Sequence, residues 1–242
     1  GTLDPADYAK LISQRTRVIA VSWVQFGTGF RSDLAALAEI AHANGALLLV
    51  DVIQGLGAFP IDLLALGVDI AATGSQKWLI GPLGVGGLYI HPNALNHLRL
   101  VNMGSGSVKD VRAFSPLGFD PKPNAQRYEE GTPNLLGLIG LSASLSLIEE
   151  AGIEKIADRI LAITAYAAEQ LRRKGYEIVS PEIEGHRSGI LIFKHPTVPS
   201  EELVALLDAA GVIAAPRGGG VRFAPHFYIT EEHMDRAIAA LP

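Results

Sequence analysis

The chain has 242 residues, enough for one large or two modest domains, each with its own core. Hydrophobic residues make up 48% and charged residues 19%, with a net charge of -5 and no stripe of lysine and arginine; this excludes intrinsic disorder and argues against nucleic acid as a partner. The sequence has no cysteine, which rules out disulfides, thiolate metal sites and thiol nucleophiles within it and favours a cytoplasmic setting. No run reaches the roughly 20 apolar residues of a membrane span, so no membrane partner is expected. The opening Gly1-Thr2-Leu3-Asp4-Pro5 has neither an initiator methionine nor a signal-peptide core and reads as an internal start.

In chain order, Asp4 to Gln14 carries Tyr8, Leu11 and Ile12 on a helical spacing, and Val18 to Ser22 reads as a buried strand. A glycine-containing loop, Gln25 to Phe30, precedes a helix from Leu34 to Ala43 that Ser32 or Asp33 can cap and that Asn44-Gly45 stops. The strand Ala46 to Asp51 follows, and the strand-helix-strand spacing predicts parallel pairing through a right-handed crossover. A short helix is expected near Ile61 to Leu66, a strand over Val68 to Ala72, a tight glycine turn from Gly81 to Gly87, and an antiparallel strand over Leu88 to Ile90. That glycine turn precedes a strand, which is the wrong place for a dinucleotide fingerprint.

From His97 to Glu130 periodicity is lost, as in functional loops and linkers. Two helices are then expected, a buried one from Leu135 to Glu150 and an amphipathic one from Ile153 to Lys174, ended by Gly175. Beyond it come strands at Tyr176 to Val179, Gly189 to Phe193, Val212 to Ala215 and Gly220 to Phe223. Helices are expected at Glu201 to Ala210, capped by Ser200, and Glu231 to Leu241, capped by Thr230. The pattern is α/β, with a parallel-sheet domain over 1–134, connecting helices over 135–174 and a small α+β domain over 175–242.

Two strands that end at one sheet edge carry the chemistry. The first turns polar at Asp51 and Gln54, the second at Ser75, Gln76 and Lys77. Ligands of open α/β sheets sit outside the carboxyl ends of the strands, so these side chains converge on one crevice. A lysine and a carboxylate brought together there point to pyridoxal phosphate (PLP): the lysine forms a Schiff base with the aldehyde, and the acid partners the pyridinium nitrogen. Each residue also has a plain structural reading. Lys77 is then a solvated loop lysine, Asp51 a turn cap, Gln54 an ordinary loop glutamine, and His226 a packing histidine.

Asp-x-x-Gln, Gly-Ser-Gln-Lys-Trp-Leu-x-Gly-Pro-x-Gly-x-Gly, Arg-Tyr-Glu-Glu-Gly-Thr-Pro-Asn and Val-Arg-Phe-Ala-Pro-His-Phe-Tyr-x-Thr-Glu-Glu occur in that order along nearly the whole chain. Together they resemble the class V aminotransferases of the fold-type I PLP-dependent enzymes, and most closely the isopenicillin-epimerase-like branch. The resemblance implies the PLP-dependent transferase fold, with a mostly parallel large-domain sheet and a small C-terminal α+β domain. It makes Lys77 the Schiff-base lysine, Asp51 the pyridinium partner and Gln54 the group beside the ring oxygen. Ser75 and Gln76 then reach the cofactor phosphate, and Gly131-Thr132 reaches the phosphate of the other subunit of a homodimer with a shared active site; the alternative for that step is helix capping. Arg222 holds the substrate carboxylate, with Arg217 a second candidate and an edge-strand surface charge the plain alternative.

The resemblance further implies an amino acid substrate, with a 2-oxo acid as acceptor if the reaction is transamination; epimerisation and elimination are the alternatives. Relatives carry a longer N-terminal part with the phosphate loop, so this chain looks like the C-terminal two-thirds of an enzyme, and an inactive fragment is the rival reading. Phe26 stands where relatives place a small polar residue, with Gln25 and Thr28 as substitutes. The missing cysteine excludes a persulfide-forming desulfurase for this chain.

Overall fold

Runs of leucine, valine and isoleucine, each stopped by a turn, build the first sheet of this computed structural model, which describes residues 2–110, 112 and 119–242. Its strands are β1 (Val18–Ser22), β2 (Leu47–Asp51), β3 (Ile70–Gly74) and β4 (Gly86–Ile90), in that spatial order. The first three run parallel and β4 returns antiparallel to β3, with Ile70 opposite Ile90 and Gly74 opposite Gly86. Leu48 and Val50 on β2 are fully buried, each worth about 1.5–3 kcal/mol of removal from water. Helix α1 (Pro5–Leu11) buries no residue and stops three residues short of the predicted end. In α2 (Leu34–Ala43) Asp33 is the cap, accepting from the Ala36 N–H, while the Ser32 hydroxyl donates to the Ser22 carbonyl.

Several boundaries differ from expectation, for local reasons. Residues 61–66 form a turn rather than a helix: Asp62 accepts from the N–H of both Ala65 and Leu66, and a single turn does not repay helix nucleation. Strand β3 starts at Ile70, two residues late, because the Asp69 carboxylate takes the Leu48 N–H and the His42 ring at 2.8 Å each. A short helix α3 (Pro92–Leu95) precedes the irregular stretch, which two single 3-10 turns, Ser105–Ser107 and Ala125–Tyr128, break and of which 111 and 113–118 lie outside the described residues.

Helices α4 (Leu135–Ala151) and α5 (Ile153–Arg173) follow, bent by 79° at Gly152. Among the described residues no single helix is long and apolar enough to cross a membrane. Against expectation, α4 is not buried: only Gly137 and Ile148 are, and its leucines lie largely in the open. Helix α4 is apolar nearly all round, with no consistent stripe, and it packs on the first core through Ile148 together with the partly buried Leu141 and Ala151. Helix α5, by contrast, buries a stripe including Ile156, Ile160, Ile163 and Leu171.

The second sheet is antiparallel in the order β5 (Glu177–Ile178), β6 (Leu191–Lys194), β8 (Gly220–Phe223), β7 (Ala215–Arg217). Helices α6 (Ser200–Ala209) and α7 (Glu231–Ala239) accompany it. Ser200 is the first residue of α6 and not its cap, a position held by Pro199, whereas Thr230 caps α7 reciprocally with His233. Strand β7 lies three residues beyond its predicted start because the turn fixes its register. Gly218 and Gly219 have φ of 59° and 79°, the pair of positive values that a two-residue hairpin turn requires, so Arg217 must face Gly220.

Alternation along the second sheet decides what it touches. Leu191, Phe193, Val221 and Phe223 join a core with α5, α6 and α7. Ile190 and Ile192 point the other way into the core of the first sheet. Arg222, opposite Ile192, therefore sits on the face directed at the first sheet.

Candidate functional site

A cavity of about 270 Å³ opens where that face meets the carboxyl end of β3, lined by Gln54, Lys77, Trp78, Arg222, Ala224, His226 and Tyr228. Lys77 follows β3 on the turn Ser75 to Gly81, which the Ser75 carbonyl closes by accepting from the Gly81 N–H at 2.8 Å. Its ammonium group is exposed and has no ion pair or hydrogen bond among the described residues. Behind it Ile80 holds φ at 55°, a left-handed conformation that a β-branched residue adopts at a cost of about 1–2 kcal/mol.

Gln54 is buried, and its side-chain oxygen accepts from the Trp78 indole N–H at 3.2 Å, while its amide NH2 has no partner among the described residues. Arg222 is half-buried and donates to the Phe26 carbonyl at 3.3 Å. Burial first, and the nearby Arg217 guanidinium second, lower its pKa. His226 is buried, its Nε2 at 3.1 Å from the Trp78 carbonyl while Nδ1 accepts from the Phe227 N–H at 2.9 Å. Both nitrogens are thus engaged, which is the packing arrangement, and burial lowers its pKa.

The structure brings Lys77, Gln54 and Arg222 into one wall and leaves the other sequence candidates outside it. Asp51 ends β2, exposed; one carboxylate oxygen accepts from the Ile53 N–H at 2.9 Å, the turn-capping role, and the other is unpaired among the described residues. Ser75 corrects an expectation: it is fully buried and its hydroxyl donates to the Pro82 carbonyl, so it braces the glycine turn instead of facing a ligand. Gln76 is exposed, with its side chain folded against Gly74. Thr132 is exposed, and the cap of α4 is Asn134, so the capping alternative does not account for Thr132. The Gln25 amide donates to the Ser22 carbonyl at the end of β1, the Thr28 hydroxyl accepts from the Phe30 N–H within the loop, and Phe26 contributes its carbonyl. Arg217 is exposed at the hairpin end.

Trp78, Ala224 and Tyr228 were not anticipated as wall residues. The signal lay in the period of two: Arg222, Ala224, His226 and Tyr228 continue the alternation of β8 past its end, and all four line the cavity.

A mostly parallel sheet with a lysine turn at its carboxyl edge, and an arginine facing it from a small antiparallel sheet, is the arrangement of the fold-type I PLP-dependent class. The structure of apo cysteine desulfurase from Thermococcus onnurineus NA1 is similar, with a TM-score of 0.88 at 26% identity, covering 99% of this chain and 62% of that one. A C-DES mutant with glycine covalently linked to its PLP cofactor gives 0.88 at 23% identity over 97% and 62%, a likeness that speaks for the fold alone. Among curated proteins, an uncharacterized aminotransferase, YcbU, of Bacillus subtilis (strain 168) is 33% identical over 241 residues, 98% of this chain and 62% of its own. A probable cysteine desulfurase of Methanothermobacter thermautotrophicus is 30% identical over 254 residues, 97% and 62%. The model of the class V aminotransferases matches residues 1–234, and the chain belongs to that family of PLP-dependent enzymes. It spans about three-fifths of the length of these relatives.

Proposed function

We propose that the chain carries the lysine-bearing part of a PLP-dependent enzyme acting on an amino acid, of the aminotransferase type, with a 2-oxo acid as acceptor. The observation that supports this best is the uncommitted Lys77 amine in one cavity wall with Arg222 and Gln54. Among the described residues the donors suit the cofactor: a free primary amine and an amide with an unpaired NH2 in the cavity wall, and outside it, at the end of the strand beside β3, a carboxylate with one free oxygen. Lys77 would hold its aldehyde, Gln54 its ring oxygen and Asp51 the proton on its ring nitrogen, with Gln76 on the phosphate. When bound, the cofactor withdraws electrons from the substrate α-carbon.

The chain's own groups do the rest. The fork of Arg222 orients the substrate carboxylate, and its tie to Phe26 limits where that carboxylate can sit. Trp78 fixes the Gln54 amide, and the Lys77 amine takes the α-proton and can return it. A second reading, elimination at the substrate side chain, is favoured by the 30% identity to a probable cysteine desulfurase. In that reaction this chain supplies no cysteine to carry sulfur.

The exposed leucines of α4 support a homodimer, with Thr132, just ahead of that helix, serving the site of a second copy. The test is incubation with PLP, reduction with borohydride and peptide mapping. The adduct is expected on Lys77 and is expected to be lost in Lys77→Ala; an adduct elsewhere, or none, overturns the proposal.

A further inference from the structure

Two guanidinium groups share one face of the β7–β8 hairpin. Arg217 is paired with Gly220 and Ala215 with Arg222, so the two arginines are diagonal neighbours across the strand pair. Such diagonals stand roughly 7–8 Å apart, within reach of each other for long side chains. The face is the one opposite Ile192, directed at the first sheet, and not the face that Val221 and Phe223 bury against the helices. Among the described residues neither arginine has a carboxylate partner. Their hydrogen bonds go to backbone carbonyls, Arg222 to Phe26 and Arg217 to its neighbour Pro216.

The fold holds the backbone that carries this like-charged pair firmly. The Gly218-Gly219 turn fixes the register, and a side chain at Gly218 would collide with the Gly27 carbonyl, so the hairpin tip is seated on the Gln25 to Phe30 loop. Repulsion between the two is felt at Arg222, whose pKa it helps to lower. Two cations on one hairpin face, with no carboxylate partner among the described residues, suit a ligand with two anionic ends.

We propose that the substrate is a dicarboxylic amino acid or the matching 2-oxo acid, with Arg222 holding the α-carboxylate and Arg217 the side-chain acid. This rests on the assignment of Arg222 as the carboxylate anchor. Arg217 is thus a specificity-determining residue, and the chemistry it selects is a second carboxylate a few carbons from the first.

The test uses ligands without an amino group, so that it is independent of Lys77 chemistry. Glutarate and butyrate are titrated calorimetrically into the cofactor-free chain. Glutarate is expected to bind at least about tenfold more tightly. Arg217→Gln is expected to bring glutarate down to the butyrate affinity, Arg217→Lys to restore part of the difference, and Arg222→Gln to weaken both ligands. Lys77→Ala is expected to keep the preference. Equal affinities in the unmodified chain, no binding of either acid, or a preference that survives Arg217→Gln would overturn the inference. If borohydride reduction fails to label Lys77 while the diacid preference holds, the cofactor reading alone falls.

Discussion

The indole N–H of Trp78 donates to the side-chain oxygen of Gln54, 3.2 Å away and 24 positions earlier, inside the wall that also holds Lys77. Both residues are buried, so little solvent reaches the bond from outside the cavity. Gln54→Leu is expected to strand the indole N–H and cost about 1–3 kcal/mol in a urea unfolding titration. In a Trp78→Phe background the donor is gone and the same change is expected to cost much less. Equal costs in both backgrounds would show that the two side chains are not coupled.

His226 gives the site a pH dependence of definite sign. Burial lowers its folded pKa below the unfolded value of 6.5, so the unfolded chain binds the proton first. The stability that the neutral ring supplies is complete above pH 6.5 and is lost as the pH falls from there through the folded value. The urea midpoint is therefore expected to drop on acidification below about pH 6.5, and His226→Gln is expected to flatten that part of the curve. A midpoint that climbs over the same interval would mean that the imidazolium is the favoured form.

Much of this arrangement was legible in the residues, because β1, β2 and the lysine turn are written in short-range terms: apolar runs, a capping aspartate and Gly-Pro turns that select one local conformation. What sequence could not supply was where side chains are already committed. Ser75 reads like a phosphate ligand, yet its hydroxyl is buried on the Pro82 carbonyl, a partner seven residues away that only the closed turn brings close. Asp69 delays β3 by reaching back to Leu48, a pairing made through a side chain that no strand pattern encodes. Helix α4 shows the opposite failure: its apolar composition is plain, but composition does not say whether the covering surface belongs to the same chain.

The uncovered flank of α4 bears on assembly. On α4, Leu136 is 84% exposed and Ile139 68% exposed, and they lie three residues apart on one flank. If two copies cover this flank, sedimentation is expected to give a dimer at micromolar concentration, and Leu136→Asp with Ile139→Asp to give a folded monomer unable to hold PLP. A monomer that keeps the Lys77 adduct would refute the shared site.

The strain behind Lys77 can be tested by an inversion of the usual side-chain order. Alanine normally stabilises a chain relative to glycine, by about 0.4–1 kcal/mol, because glycine has more unfolded freedom to lose. At position 80, where φ is 55°, the Cβ of alanine meets the same clash as that of isoleucine, and only glycine escapes it. Both substitutions delete the aliphatic side chain, so the burial lost is shared and cancels in the comparison. Ile80→Gly is therefore expected to be more stable than Ile80→Ala by about 1 kcal/mol in urea. The Ile80 N–H bonds to the Lys77 carbonyl at 3.0 Å and the Ile80 carbonyl accepts from the Ser144 hydroxyl at 2.9 Å, so this residue ties the lysine turn to α4. Relaxing it is expected to slow PLP adduct formation at Lys77 even as stability rises relative to the alanine variant. If alanine proves as stable as glycine at this position, the left-handed conformation is not what holds the turn.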